Sequence, residues 1–138
     1  MMFMVTLYIV PTSEIDIHGN ISISGGLTTF TVVCSVIANP PASIVWLKTS
    51  DEEEELTNSS RTSITHRFTS DSAPISHSTL VISATESNDY MCTADNGIGD
   101  AMSLNFSLIK SGQCNCIRTY KGNKCLVEGI TYLCHVMV

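Results

Sequence analysis

The chain has 138 residues, which is enough for one ordinary domain with additional segments. Its composition is that of a globular protein, with 43% hydrophobic and 14% charged residues. The net charge is −6 and the seven basic residues are scattered, which argues against nucleic acid or an anionic membrane surface as a partner, since both need clustered lysine and arginine.

The first ten residues, MMFMVTLYIV, are apolar but make a poor secretory signal. They lack a basic region before the apolar run and a cleavage site of small residues after it. No run in the chain approaches the roughly 20 apolar residues that cross a bilayer. If the protein is extracellular, we therefore expect this chain to be a fragment of a larger protein or the product of an incomplete gene prediction, with any membrane attachment in segments not present here.

Short β-branched and aromatic runs follow, separated by clusters of Gly, Pro, Asn, Ser and Asp, which is typical of an all-β protein. In each of these runs apolar side chains alternate onto one face. The last of them is the most regular and puts Asn105 on the outward face. The predicted strands lie at residues 29–37, 43–48, 62–68, 78–83 and 101–108.

The stretch DYMCTADNGIGD, residues 89–100, has two interpretations. Its aspartates, asparagine and glycines are compatible with a cation loop. A calcium loop of the EF-hand type, however, needs acidic ligands at alternating positions, then a glycine and a distal glutamate, and that spacing is absent. The alternation of Tyr90, Cys92 and Ala94 instead predicts the end of a strand, followed by a turn at residues 96–99.

Cysteines and N-x-[ST] sequons together favour an oxidising compartment. The sequons are at Asn20, Asn58 and Asn105, and each predicts a glycosylated asparagine. Six cysteines form an even set, with two far apart inside strand-like runs and four crowded into the last quarter of the chain. They are Cys34, Cys92, Cys114, Cys116, Cys125 and Cys134.

Four of the inward-facing residues have a characteristic spacing. Trp46 lies 12 residues after Cys34, and Tyr90 lies two residues before Cys92. All four side chains fall on the inward parity of their strands. This constellation resembles that of the immunoglobulin superfamily.

Two further motifs narrow the resemblance to the I-set type. Residues 86–92, ESNDYMC, are similar to the family's D-x-G-x-Y-x-C, with Glu86 for the aspartate and Asn88 for the glycine. Residues 92–99, CTADNGIG, match C-x-A-x-N-x-x-G. The resemblance covers about residues 11–109 and implies an all-β, two-sheet antiparallel immunoglobulin-like sandwich.

That resemblance also implies roles for the constellation. Cys34 and Cys92 are expected to form a disulfide between the two sheets, with Trp46 packed on it and Tyr90 in a tyrosine corner. Reduced core cysteines, as in intracellular I-set domains, are the alternative. Neither aromatic residue is expected to contact a ligand.

The resemblance divides the chain into three parts. Residues 1–10 are expected to be strand A or the last strand of a preceding immunoglobulin domain. Residues 11–110 are expected to be the I-set domain itself. Residues 111–138 are expected to be a short, irregular, cysteine-rich tail.

Within this tail, residues 114–125, CNCIRTYKGNKC, resemble the C-terminal half of an EGF-like module. By family analogy Cys116 pairs with Cys125. Cys114 has no earlier cysteine of such a module as its partner; Cys134 is one candidate, but sequence alone does not fix connectivity. A zinc site is the alternative, although the spacing fits zinc knuckles poorly.

Catalytic signatures are missing, since there is no nucleophile elbow and no glycine-rich phosphate loop. We therefore expect no enzyme, no cofactor, no metal and no small-molecule substrate. His66 and His77 are candidates to meet across neighbouring strands, with ordinary surface positions as the alternative. Residues 39–43 and 95–100, or the acidic edge formed by residues 51–57, are candidates for contact with a protein partner, and none is distinctive enough to define a site. An ordinary solvated edge is the alternative for the acidic run.

The resemblance implies an extracellular protein-binding or cell-adhesion module, on a cell-surface receptor or a matrix protein. Its partner, a protein ligand or a second copy, is not identified by the sequence. The alternative is an intracellular structural I-set domain of a filament-associated protein.

Overall fold

The computed structural model describes residues 15–69, 74–111 and 114–127. The expectations for residues 1–10 and for Cys134 fall outside these ranges. Within them the chain forms strands, and no helix there is long and apolar enough to cross a lipid bilayer. The strands are β1 Ile15–Ser24, β2 Leu27–Ile37, β3 Ser43–Lys48, β4 Glu54–Glu55, β5 Thr62–Thr69, β6 Ile75–Ser83, β7 Asn88–Asp95, β8 Met102–Ser111, β9 Cys114–Thr119 and β10 Gly122–Val127.

These strands form two antiparallel sheets. The smaller sheet has the order β1-β2-β6-β5, and the larger has the order β10-β9-β8-β7-β3-β4. All pairings between neighbours are antiparallel. The all-β, two-sheet antiparallel sandwich predicted from the sequence is confirmed.

The core lies between the two sheets, where the alternating side chains of each strand meet. Trp46 is 1% exposed and its ring meets Phe106 edge-on, with 5.7 Å between the ring centroids. Tyr90 stacks on the same Phe106 at 5.5 Å. The indole nitrogen of Trp46 donates a 2.7 Å hydrogen bond to the hydroxyl of Ser78, so the buried N–H is satisfied.

A disulfide joins the two sheets at the centre of this core. It links Cys34 on β2 to Cys92 on β7, which are 58 residues apart, and both side chains are fully buried. A cross-link over a loop of this length stabilises the folded state by about 4 kcal/mol, because it restricts the unfolded chain.

The described part of the tail is more regular than the sequence predicted. Strands β9 and β10 form a hairpin in which Cys116 lies opposite Cys125, and these two residues form a disulfide. Strand β9 pairs with β8, so the hairpin extends the larger sheet. Asn115, Cys116 and Ile117 of β9 are all buried, so burial in this strand does not alternate. Pairing with β8 supplies the ladder that stabilises it.

Candidate functional site

Two of the candidate contact segments identified in the sequence lie together at one end of the sandwich. Ser43, the first residue of β3, lies opposite Asp95, the last residue of β7. The segment that leads into β3 and the turn that follows β7 are therefore neighbours. We call the surface formed by residues 39–43 and 95–100 the loop surface.

The turn after β7 is held by its own side chains. The carboxylate of Asp95 accepts a 2.8 Å hydrogen bond from the amide of Gly97, and the side-chain oxygen of Asn96 accepts one of 3.0 Å from Ile98. Gly97 has φ of +79°, a left-handed conformation that glycine adopts readily. Asp95 thus serves turn geometry, as the strand–turn interpretation of this stretch expects.

A hydrogen bond between the two segments joins them into one surface. The side-chain nitrogen of Asn96 donates to the carbonyl oxygen of Pro40 at 3.2 Å. Pro40 follows a cis peptide bond, and both Pro40 and Pro41 are exposed. The loop surface therefore presents two exposed prolines beside a turn that is hydrogen-bonded to them.

A shallow cavity of 560 Å³ adjoins the loop surface on the outer side of the larger sheet. Its floor includes the half-buried Val45, Leu47 and Thr93, and its rim includes Asp95 and Asn96. An apolar floor with a polar rim is the usual layout of a surface that binds a protein side chain.

The three sequon asparagines lie away from the loop surface, and all three are exposed. Asn20 is on β1, and its side-chain oxygen accepts a 2.6 Å hydrogen bond from Nζ of Lys124. Asn58 precedes β5, and its side-chain oxygen accepts a 2.7 Å bond from the amide of Ile64. Neither bond uses the side-chain nitrogen to which a glycan is attached.

Asn105 lies on the outer face of the larger sheet, directly opposite Met91. A glycan at this position would cover the middle of that face. Leu47, part of the cavity floor, also pairs with Met91, so Asn105 and the cavity share this face two strands apart.

The acidic edge lies apart from the loop surface. Strand β4 pairs Glu54 with Lys48 and Glu55 with Leu47, at the end of β3 opposite Ser43. The structure therefore joins two of the three segments nominated for partner contacts and separates the third. Residues 51–55 are all exposed, as expected of a solvated edge.

His66 and His77 do not lie opposite each other. His66 pairs with Ser78, while His77 pairs with Arg67 and is 2.8 Å from the hydroxyl of Ser35 through Nδ1. Burial lowers the pKa of His77, and the positive charge of Arg67 and of the other histidine nearby, His18, lowers it further.

One cluster that sequence reasoning missed connects the tail to β1. The carboxylate of Asp16 accepts hydrogen bonds from Nζ of Lys121 and from the hydroxyl of Tyr120, the latter at 3.3 Å. The bond from Lys121 is the main cause that lowers the pKa of Asp16. These partners are more than 100 positions apart, and no local pattern marks a contact of that separation.

The cysteines that a zinc site in the tail would need are oxidised to disulfides. Cys116 and Cys125 are bonded to each other, and Cys114 is also disulfide-bonded, so these sulfurs are not thiolates. In residues 15–69, 74–111 and 114–127, no group of three or more His, Cys, Asp or Glu side chains is placed to hold a metal ion.

A buried disulfide between facing sheets, with a buried tryptophan opposite one of its cysteines, is characteristic of an immunoglobulin-type domain. The sequence model of the immunoglobulin I-set domain matches residues 16–107, well over half of the chain, and the chain belongs to this family. The predicted I-set resemblance is thereby confirmed, and the half-EGF resemblance of the tail stays a prediction.

Among solved structures, the chain is similar to the N-terminal Ig1-2 module of the Drosophila receptor protein tyrosine phosphatase DLAR. The two are 28% identical, with a TM-score of 0.41, over 59% of this chain and 39% of that one. The chain thus spans well under half of that structure. No curated protein gives a significant match.

Proposed function

We propose that this chain is an extracellular protein-binding module that contacts its partner through the loop surface. The observation that carries the proposal is the hydrogen bond from Asn96 to the carbonyl of Pro40, which joins two connections into one surface. The apolar cavity over Val45 and Leu47 continues that surface onto the sheet.

Anchoring of the two segments supports a binding role. Residues 39–43 follow β2 and lead into β3, and residues 95–100 begin at the end of β7, so each is attached to strands of the core. Cys34 on β2 and Cys92 on β7 are cross-linked. A surface held in this way loses little conformational entropy when it binds, which raises affinity for a given contact area.

Disulfides and exposed sequons support the extracellular location. Disulfides persist in oxidising compartments, and this domain contains one in its core and one in the β9–β10 hairpin. Glycosylation of Asn20, Asn58 and Asn105 is part of the proposal. If mass spectrometry of the native protein finds free thiols at Cys34 and Cys92 and no glycans, the result would instead support the intracellular filament alternative.

The proposal also concerns the larger protein to which this module belongs. The module belongs to a cell-surface receptor or a matrix protein, catalyses no reaction and needs no cofactor, and its tail is half of an EGF-like module. Sequencing of the flanking coding region tests this directly. Further immunoglobulin or EGF-like repeats support it, and flanking repeats of a cytoplasmic filament protein contradict it.

The binding role is tested on the secreted, glycosylated protein, clustered on beads and applied to an array of purified cell-surface ectodomains. For a partner found in this way, Asn96→Ala and Thr93→Lys should each weaken binding by about ten-fold or more, because the first removes the hydrogen bond between the two segments and the second blocks the cavity. Thermal unfolding of each variant excludes loss of the fold.

Thr79→Lys is the matched control, since it makes the same substitution on the outer face of the smaller sheet. It should leave binding unchanged. Binding that is insensitive to Asn96→Ala and Thr93→Lys, but lost on Thr79→Lys or Glu53→Lys, contradicts the loop surface as the contact site.

A further inference from the structure

A second surface lies along β5, the outer strand of the smaller sheet. We propose that the edge of β5 at residues 66–68 accepts an extended segment of a partner protein as an added strand, and that this segment alternates acidic and apolar residues. We call residues 66–68 the β5 edge.

Among the described residues, main-chain groups on the side of β5 that faces away from β6 are hydrogen-bonded only in the first half of the strand. On the side away from β6, the carbonyl of Thr62 accepts from the amide of Ser59 at 2.8 Å, and the amide of Ile64 donates to Asn58. Backbone groups of alternate residues in a strand point the same way, so those of His66 and Phe68 point to this free side too. In the part of the chain that the structure describes, they have no partner there.

An open cavity of 380 Å³ lies beside the β5 edge. Its walls include Ala42, which precedes β3, Ile44 of β3, and Phe68, which is 50% exposed. An exposed strand edge next to an exposed aromatic ring is a template for pairing with another chain, which proteins usually block with lysine or proline. Residues 62–69 contain neither.

One permanent positive charge, that of Arg67, lies at this cavity, in a chain whose net charge is −6. Arg67, His66 and His77 line the cavity, and no carboxylate is among its lining residues. Among the described residues Arg67 takes part in no ion pair, and its side chain is exposed. This arrangement is complementary to an acidic segment.

If the partner segment binds as an added strand, strand geometry determines the order of its acidic and apolar residues. Successive side chains of an added strand point to opposite faces of the sheet. One set would enter the cavity against Phe68 and Ile44, where apolar side chains fit. The other set would lie beside Arg67 on the outer face, where carboxylates fit.

The test uses three short synthetic peptides in titrations of the isotope-labelled protein. The first alternates glutamate and valine, the second has lysine in place of glutamate, and the third is the first with N-methyl groups on the amides that would face β5. The first peptide should slow hydrogen exchange of the His66 and Phe68 amides. The lysine and N-methyl peptides should bind at least about ten-fold more weakly.

Arg67→Glu should reverse the preference between the glutamate and lysine peptides. Arg61→Glu, the same charge change just before β5, is the control and should leave the preference as it was. Equal binding of the N-methyl peptide overturns the proposal, as does slowed exchange that avoids His66 and Phe68. Slowing that depends on protein concentration without peptide also overturns it, because the edge then serves self-association.

The cavity beside the β5 edge shares Pro41, Ala42 and Ser43 with the loop surface, but the two proposals are tested at different residues. Neither Asn96 nor Thr93 lines the cavity beside the β5 edge. A negative peptide result therefore leaves the proposed function standing, and a failed ectodomain screen leaves this inference standing.

Discussion

Ile117 of the tail hairpin lies directly against Gly19 of β1. A Cβ added at Gly19 would come within 2.9 Å of Cδ1 of Ile117 and within 2.3 Å of the carbonyl oxygen of Thr31. Only glycine allows β1 to approach its neighbours this closely. Ile117 is 2% exposed, so the hairpin adds a residue to the core of the sandwich.

Gly19→Ala should therefore lower the free energy of unfolding, by about 1–3 kcal/mol, because the added methyl group must displace backbone as well as the Ile117 side chain. Urea unfolding followed by tryptophan fluorescence measures the change. His18→Ala, at the exposed neighbouring position, is the control and should have little effect. Unchanged stability of the Gly19 variant would show that β1 and β9 do not approach as described.

Ser78→Ala should destabilise the core through Trp46. The variant removes the acceptor of the 2.7 Å bond and leaves a buried indole N–H without a partner, at a cost of about 1–3 kcal/mol. Urea unfolding gives the value, and Thr79→Ala on the outer face is the control. A loss no larger than that of the control would contradict a role for this hydrogen bond.

Removal of the inter-sheet disulfide and removal of the hairpin disulfide should lower the free energy of unfolding by different amounts. Paired alanine substitutions at Cys34 and Cys92, which are 58 residues apart, should cost about 4 kcal/mol from loop closure, plus the packing lost at two buried sites. The same change at Cys116 and Cys125, which are nine residues apart, should cost about 2.5 kcal/mol from loop closure. The reverse order in chemical denaturation would mean that the hairpin disulfide, and not the inter-sheet one, dominates stability.

The Asp16–Lys121 contact should make stability depend on pH in the acidic range. Because the folded protein lowers the pKa of Asp16, its contribution is present above the pKa of the unfolded chain and is lost as pH falls through the lower, folded pKa. The effect should be modest and weaken with added salt, since both side chains are more than a third exposed.

Asp16→Asn should flatten that pH dependence. Urea midpoints measured between about pH 6 and about pH 2 give the comparison, with Glu53→Gln as the control. A parallel decline for wild type and Asp16→Asn would assign acid sensitivity to other carboxylates.

Most of the sandwich was predictable because its cues are local. The alternation of Phe30, Val32 and Cys34 follows from the two-residue period of a strand, and residues 43–48 were predicted with the bounds observed for β3. The turn at residues 96–99 follows from the preferences of asparagine and glycine. Strand β9 was missed because its stability depends on an edge of β8 and not on its own pattern.

The loop surface was predictable only in part. The sequence pointed to three candidate contact segments, residues 39–43, 95–100 and 51–57. No local pattern showed which of them lie together in the folded protein. The pairing of Ser43 with Asp95 places residues 39–43 beside residues 95–100. The pairing of β4 at the far end of β3 places the acidic segment away from both.

By itself, the sequence determined what depends on residue type and short spacing: the all-β class, the inward-facing cysteines and tryptophan, and the turn chemistry. Tertiary structure alone decided contacts between distant segments. Asn96 reaches Pro40 across 56 positions, and Lys121 reaches Asp16 across 105. Such contacts arise from the register of strands and the stacking of sheets, and a two-residue period does not encode either.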